Sequence, residues 1–477
     1  MKNEYKTVFV LFLIALVIRI LFVFISPVKI WDETVYANLG YDLSKNPFDY
    51  SFANNGWSDF VPGGWPKAGF RAPLLPYTLS IFYFFKLDFL IDFLIPLIGA
   101  LSVIITFFLA KNMFNEKIAF YSAAFLSFLP LHVYYSGKIL TDVFSSFFVI
   151  LTVIFFWYGF ERNVTKFKVL FGIILALSIL ARYTNLWLIP IFPIYLIFKN
   201  RNLSFMKDKW VWLTICIFFA ILSPWFIYGI ITYNSPLGAF EHALKASSYW
   251  GGTQPWYFFF ENSFQMFSIL SIVFAASLLY IIFNKKTRKD QKIIFLLLWF
   301  FMIFVFASIM PHKEDRFFMS LTPPFVIISA LFINNIVKYQ KFVFGLIIIL
   351  LILSCSSLFV IVSQNSYSQV NICFLESNLF LKSVENNSVV ITDESPIIYY
   401  YSKKETHFYP RPFSINSIRN LIDKNYNDRP VYILFSEYDM PLDRPENMKI
   451  KTILDSNFEI VYKCSENKNL SIIYKYR

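Results

Sequence analysis

The sequence predicts a mainly α membrane protein. It reads as a bundle of about eleven transmembrane helices with a long first outer loop and a small α/β domain on the outer face. Three observations predict this. The composition is too apolar for a soluble chain. Long apolar runs alternate with short basic loops. Beyond residue 364 the composition turns polar and strand-like.

The 477 residues are 57% hydrophobic and only 16% charged. A soluble globular protein carries about a quarter charged residues. Mean hydropathy is +0.54. Aromatics reach 21%, with 59 Phe, as lipid-facing helices and interfacial belts require. Lys and Arg number 43 against 31 Asp and Glu, a net charge of +12. The basic residues cluster between apolar runs, so topology accounts for them and nucleic acid is not an expected partner.

Apolar runs fall at 8–26, 89–110, 118–135, 140–160, 167–181, 184–199, 211–232, 262–283, 292–310, 317–336 and 342–362. Lys2 and Lys6 precede the first run and no small-residue cleavage site follows, so that run reads as a retained anchor. The segment from Pro73 to Phe85 is too short for a typical span and reads as a juxtamembrane or re-entrant helix.

The positive-inside rule tests that choice. With a cytoplasmic N-terminus, the inner loops hold Lys111 and Lys117, then Arg162, Lys166 and Lys168, then Lys199 to Lys209, then Lys285 to Lys292, then Lys338 and Lys341. All five loops agree. The same parity places outside residues 27–88, the turn at Lys138 to Asp142, the turn at Arg182 to Asn185, the loop from Tyr233 to Glu261, the turn from His312 to Arg316, and the tail. The protein is expected to be a multi-pass protein, in the plasma membrane of a prokaryote rather than the ER, with its C-terminal domain extracytoplasmic.

Two domains are expected, 1–363 in the membrane and 364–477 outside it. The tail holds β-rich runs at 388–392, 430–435 and 458–462, and helical spacing over 417–424. Cys373 and Cys464 lie in this tail and can pair in an oxidising compartment. Cys216 and Cys355 lie in apolar runs, where Cys acts as a small hydrophobe.

The charged residues that topology leaves unexplained converge on the predicted outer face. Asp32 and Glu33 follow the first span without a basic neighbour in sequence. Such a carboxylate can take a proton from an attacking hydroxyl. Asp142 stands at a helix start, where it also complements the helix dipole. Arg182 lies between two apolar runs, as an interfacial anchor or as a bidentate phosphate clamp. Arg71 and Lys67 are similar candidates, and Arg19, inside the first span, reads as structural.

His312, Lys313, Glu314, Asp315 and Arg316 crowd one short turn. Histidine can position or protonate, and Lys and Arg can neutralise a leaving phosphate. So dense a turn can also satisfy itself internally. His312 has no second His or Cys at ligand spacing, so zinc is not expected there. The sequence assigns no certain cofactor and does not indicate a divalent metal. Trp256 and Tyr257 follow Gly251 and Gly252 and suit an interfacial belt or a sugar platform.

These residues together resemble a family. The acidic pair in a long first outer loop, Arg71 to Pro76, Thr141-Asp142, and His312-Lys313-Glu314-Asp315-Arg316-Phe317 resemble the GT-C glycosyltransferases. The last string and Gln254-Pro255-Trp256-Tyr257 look most like Alg9-type mannosyltransferases. The first part looks more like the protein O-mannosyltransferase and aminoarabinose-transferase group. The resemblance covers about 1–340 and implies a GT-C-like bundle.

It implies a polyprenyl- or dolichyl-phosphate sugar as donor, and a hydroxyl on a glycan, lipid or protein as acceptor. Asp32 takes the position of the general base, supported by Glu33, and Asp142 that of the second acid. Arg71, Arg182, His312, Lys313 and Arg316 fall to the donor phosphate. Tyr36, Glu314, Trp256 and Tyr257 fall to substrate contact. Transfer is expected to be inverting, of a hexose or pentose. A transporter or flippase of lipid-linked sugars is the alternative, but transporters keep their ionisable groups near the midplane.

Overall fold

A computed structural model describes residues 2–52, 54–56, 67–249, 252–337, 339–364, 372–426, 428–438, 440–466 and 469–476. The chain forms two compact units, neither of them continuous in sequence.

The first unit comprises Met1–Ile25, Gly69–Leu75 and Asp88–Gln364, and it is helical. Among the described residues, six helices are long and apolar enough to cross a membrane: Tyr5–Ile25, Asp88–Met113, Thr141–Glu161, Lys209–Tyr233, Gln291–Ile309 and Asp315–Ile336. The pair Glu116–Phe128 and Pro130–Ser136, bent by 58°, makes a seventh if counted as one span. The run at 342–362 lies within one helix, Gln340–Gln364, while several other apolar runs form shorter or interrupted helices. The runs at 167–181 and 184–199 become Thr165–Ala181, a 3-10 turn Tyr183–Leu188, and Ile191–Asn200. Ile231 and Phe283 are among many apolar side chains turned outward, 77% and 81% exposed. Water would penalise that surface, and lipid does not.

The bend at Leu129 has a local cause. Pro130 has no N–H, so the Leu126 carbonyl loses its helical donor. Arg19, fully buried, supplies the replacement. Its Nη2 donates to the Leu126 oxygen at 3.2 Å and its Nη1 to the Ser127 oxygen at 3.4 Å. The same guanidinium reaches His132 Nδ1 at 2.9 Å and Ser136 Oγ at 3.2 Å, beyond the break.

The second unit comprises Ser26–Ala68, Pro76–Leu87 and Asn365–Arg477. At its centre is a five-stranded sheet of order β2-β1-β3-β5-β4. The strands are β1 Val389–Thr392, β2 Glu405–Phe408, β3 Val431–Ser436, β4 Glu459–Glu466 and β5 Asn469–Lys475. The first three are parallel and β5 runs antiparallel to its neighbours β3 and β4. Parallel neighbours need crossovers. Ser395–Ser402 and Ile415–Asn425 supply them, the latter opened by a Ser414/Ser417 capping box. Apolar clusters cover both faces of the sheet. Cys373 and Cys464 form a disulfide, Cα atoms 5.3 Å apart, joining the helix Ile372–Ser383 to β4.

The helix Asp32–Lys45 is part of this unit. Asn38 Nδ2 donates to the Pro396 oxygen at 2.7 Å, and the Tyr399 hydroxyl donates to Asp42. Burial pushes the Asp42 carboxyl up, opposed by that hydroxyl and by Lys45. On another side Gly40 meets the helix Leu74–Phe84 so closely that a Cβ there would stand 2.7 Å from Leu79 Cβ. The Asn54 carbonyl accepts from Thr406 N–H at 3.1 Å, covering the outer edge of β2.

Candidate active site

In the first unit, four chain segments meet around a cavity of about 570 Å³. The helix Thr141–Phe156 begins after an extended Leu140 and carries Asp142 in its first turn. The helix Thr165–Ala181 ends at Arg182, whose own backbone is extended (φ −161°). Arg182 Nη1 donates to Asp142 Oδ1. Asp142 is 2% exposed, and its Oδ2 has no hydrogen-bond partner among the described residues. A buried carboxylate beside guanidinium is a compensated charge. The Arg182 guanidinium also lies 5.0 Å from the centre of the Phe317 ring.

The floor is held by amide and hydroxyl groups. Asn185 Nδ2 donates to Ser145 Oγ at 2.7 Å and to the Ser178 oxygen at 2.8 Å. Ser320 Oγ reaches Asn185 Oδ1 at 3.4 Å. The Tyr183 hydroxyl donates to the carbonyls of Gly69 (2.7 Å) and Arg71 (3.2 Å), and accepts from Trp225 Nε1 at 2.7 Å. The walls are apolar: Leu186, Trp187, Phe240, Leu244, Phe306 and Met310. Trp187 stacks on Phe306 at 3.5 Å.

The crowded turn divides its charges. Glu314 accepts from Arg316 Nη2 at 2.7 Å, and its Oε1 lies 3.0 Å from His312 Nε2. Arg316 lines the cavity with Asp142 and Arg182. Lys313 turns elsewhere. Its ammonium donates to the carbonyls of Met310 (2.6 Å) and Gln254 (2.8 Å), and its N–H donates to Gln254 Oε1 at 2.8 Å. Burial lowers the Lys313 pKa. The result is a staple between this turn and the loop that bears Trp256 and Tyr257, which are 68% and 46% exposed. Among the described residues, no group of three or more His, Cys, Asp or Glu is placed to hold a metal ion.

The structure therefore brings together Asp142, Arg182 and Arg316, with Glu314 and His312 bonded to the same turn. Arg71 is half-buried, its guanidinium 5.3 Å from the Phe70 ring. Asp32, Glu33 and Tyr36 belong to the second unit. There Asp32 is half-buried in the first turn of its helix, and Glu33 and Tyr36 are buried. Asn185, Ser320 and Phe317 were not singled out as site residues by sequence. Only Phe317, inside the motif string, carried a signal.

Comparison with solved structures identifies the fold. The chain superposes on ArnT from Cupriavidus metallidurans bound to undecaprenyl phosphate with a TM-score of 0.73. The match covers 98% of this chain and 97% of that one at 11% identity. The chain has a GT-C fold. The GT-C match extends to the oligosaccharyltransferase of Archaeoglobus fulgidus, solved with zinc and sulfate, with a TM-score of 0.64 over 94% of this chain and 70% of that one at 13% identity. The archaeal oligosaccharyltransferase AglB from Archaeoglobus fulgidus, solved with an inhibitory peptide and a dolichol-phosphate, matches with a TM-score of 0.60.

In sequence, residues 71–228 match the family described as dolichyl-phosphate-mannose-protein mannosyltransferase. Human alpha-1,2-mannosyltransferase ALG9 is 24% identical over 340 residues, 66% of this chain. The chain spans about half the length of that relative, 51%. Both halves of the resemblance read from the motifs, to the protein O-mannosyltransferase and aminoarabinose-transferase group and to Alg9-type enzymes, are thus found again. The relatives are glycosyltransferases, and those solved with lipid carry polyprenyl or dolichol phosphates.

Proposed function

We propose that this protein is a membrane glycosyltransferase that moves a sugar from a polyprenyl- or dolichyl-phosphate donor to a hydroxyl of a glycan, lipid or protein acceptor. The sugar is mannose or a related hexose or pentose. One observation carries the reading: two guanidinium groups, Arg182 and Arg316, share a cavity whose other walls are largely apolar. That combination suits an amphiphilic anion, with phosphate against the guanidinium forks and the first isoprene units against the aromatic walls.

The chemistry follows from the charges. The acceptor oxygen forms a bond to the anomeric carbon while the bond from that carbon to the phosphate oxygen breaks. The electron pair leaves with the phosphate, and guanidinium groups stabilise the negative charge it gains. Asp32, at the position the resemblance gives to the base, takes the hydroxyl proton, and Glu33 supports it. A single displacement inverts the anomeric centre. Asp142 holds Arg182 in place, and Lys313 acts as a staple and not as a phosphate ligand.

The predicted topology belongs to the same proposal: eleven crossings, a cytoplasmic N-terminus, and the tail outside the plasma membrane of a prokaryote. The Cys373–Cys464 disulfide supports an oxidising location for the tail. Asp32→Asn is expected to leave the protein folded in the membrane and to abolish transfer almost completely. Wild-type turnover by that variant would remove Asp32 as the base. Movement of intact donor across a vesicle membrane without cleavage would favour transport instead.

A further inference from the structure

The second unit contains a backbone that the proposed chemistry does not by itself explain. Trp31, the residue before Asp32, has φ 38° and ψ −113°. Side chains of L-residues rarely adopt this conformation, and a bulky one persists there only where its surroundings fix it. Here the C-terminal segment supplies those surroundings. Ile30 and Trp31 pack against an apolar cluster built from the C-terminal segment, including Phe374, Ile397, Ile398 and Tyr432. The Trp31 carbonyl accepts from Thr34 Oγ1 at 2.7 Å and from Val35 N–H at 3.0 Å. Two residues earlier, Lys29 N–H donates to the Tyr401 hydroxyl at 2.8 Å.

The contacts recur along one short helix, Ser395–Ser402. Tyr401 takes the chain before the kink, Pro396 takes Asn38, and Tyr399 takes Asp42. Asn38 and Asp42 are four residues apart, on one face of the helix Asp32–Lys45. The kink at Trp31 and this face together fix where that helix starts and how it is rotated. Its first turn carries Asp32 and Glu33.

We infer that the C-terminal segment is a positioning element for the acidic pair: packing from the helix Ser395–Ser402 and its cluster holds Trp31 in its unfavourable conformation, and that conformation aims Asp32. The inference rests on the reading of Asp32 as the base. Trp31 and Tyr401 are positioning residues, since neither is assigned contact with the reacting atoms.

The test compares Trp31→Gly, Trp31→Phe, Tyr401→Phe and Asp32→Asn in purified full-length protein with a polyprenyl-phosphate sugar that the wild type consumes. Glycine adopts the Trp31 backbone without steric penalty, so it removes the strain while deleting the indole anchor. A small misplacement of a reacting group costs far more in rate than in binding. Trp31→Gly is therefore expected to lower kcat by about tenfold or more, with the donor KM within about twofold of wild type. Trp31→Phe, which keeps a packed ring, restores most of the rate. Tyr401→Phe removes one hydroxyl and lowers kcat in the same sense; it carries the test should Trp31→Gly fail to insert. Wild-type kcat in Trp31→Gly and Tyr401→Phe, with Asp32→Asn inactive, would overturn the positioning role and leave the base intact. Full turnover by Asp32→Asn would remove the base, and the inference with it.

Discussion

Arg316 and Arg182 share a cavity but not a fate when mutated. Arg316 bonds to Glu314, whose side chain is 34% exposed and keeps His312 as a second neighbour. Arg316→Met should therefore leave a folded protein that binds polyprenyl phosphate roughly ten- to hundredfold more weakly, the worth of one charge-assisted hydrogen bond. Titration of purified variant with the lipid phosphate checks this. Arg182→Met has a second effect, because it strands Asp142 in a buried position. Loss of thermal stability should accompany its loss of binding. Glu405 gives the residue-scale pH dependence. Its hydrogen bond to His407, opposed by burial and reinforced by Arg429, holds its carboxyl below the usual range. A depressed folded pKa means the contribution is present above the unfolded value, about 4.3, and is lost as pH falls through the folded one. Glu405→Gln should lower the melting temperature near neutrality and flatten its fall in acid. At this scale the sequence showed residue types more readily than partners. Asp142 and Arg182 stood out singly, but a pair 40 residues apart has no local signature. The crowded turn was legible as a cluster, while the diversion of Lys313 to Gln254 depends on a loop 59 residues away.

Among elements, the bent pair Glu116–Phe128 and Pro130–Ser136 invites the sharpest test. Arg19 caps the carbonyls that the break exposes. Arg19→Met leaves two carbonyls in an apolar interior without that donor, at about 1–3 kcal/mol each. Thermal unfolding in detergent should show a loss on the order of 3 kcal/mol, and a wild-type melting temperature would show that the guanidinium is dispensable. Pattern alone located the long helices, because twenty apolar residues have few other uses. It located three of the tail strands for a similar reason. It missed β2, whose four residues Glu405–Phe408 include Glu and His, and β5, which follows β4 after two residues. β2 is a strand because β1 lies beside it in parallel register, a tertiary cause with no local pattern.

At the scale of the molecule, the division of the chain was the least legible feature. Residues 26–68 and 76–87 fold with 365–477 through bonds such as Asn38 to Pro396, spanning more than 300 positions. No periodicity encodes such a pairing. The second unit is closed by the Cys373–Cys464 bridge, whose partners are 91 residues apart. Replacing both cysteines with serine should cost about 2–4 kcal/mol, read as a lower melting temperature, and an unchanged one would show that the bridge does not restrain the unit. Cleavage of a lipid-phosphate sugar is the step that the proposed function requires above all. The most direct measurement incubates purified protein, in lipid, with a panel of polyprenyl-phosphate sugars and an acceptor mixture, and follows release of free polyprenyl phosphate beside Asp32→Asn. The account predicts that wild type releases the lipid phosphate from one donor and Asp32→Asn does not. Release from no donor, or equal release by both proteins, would contradict it.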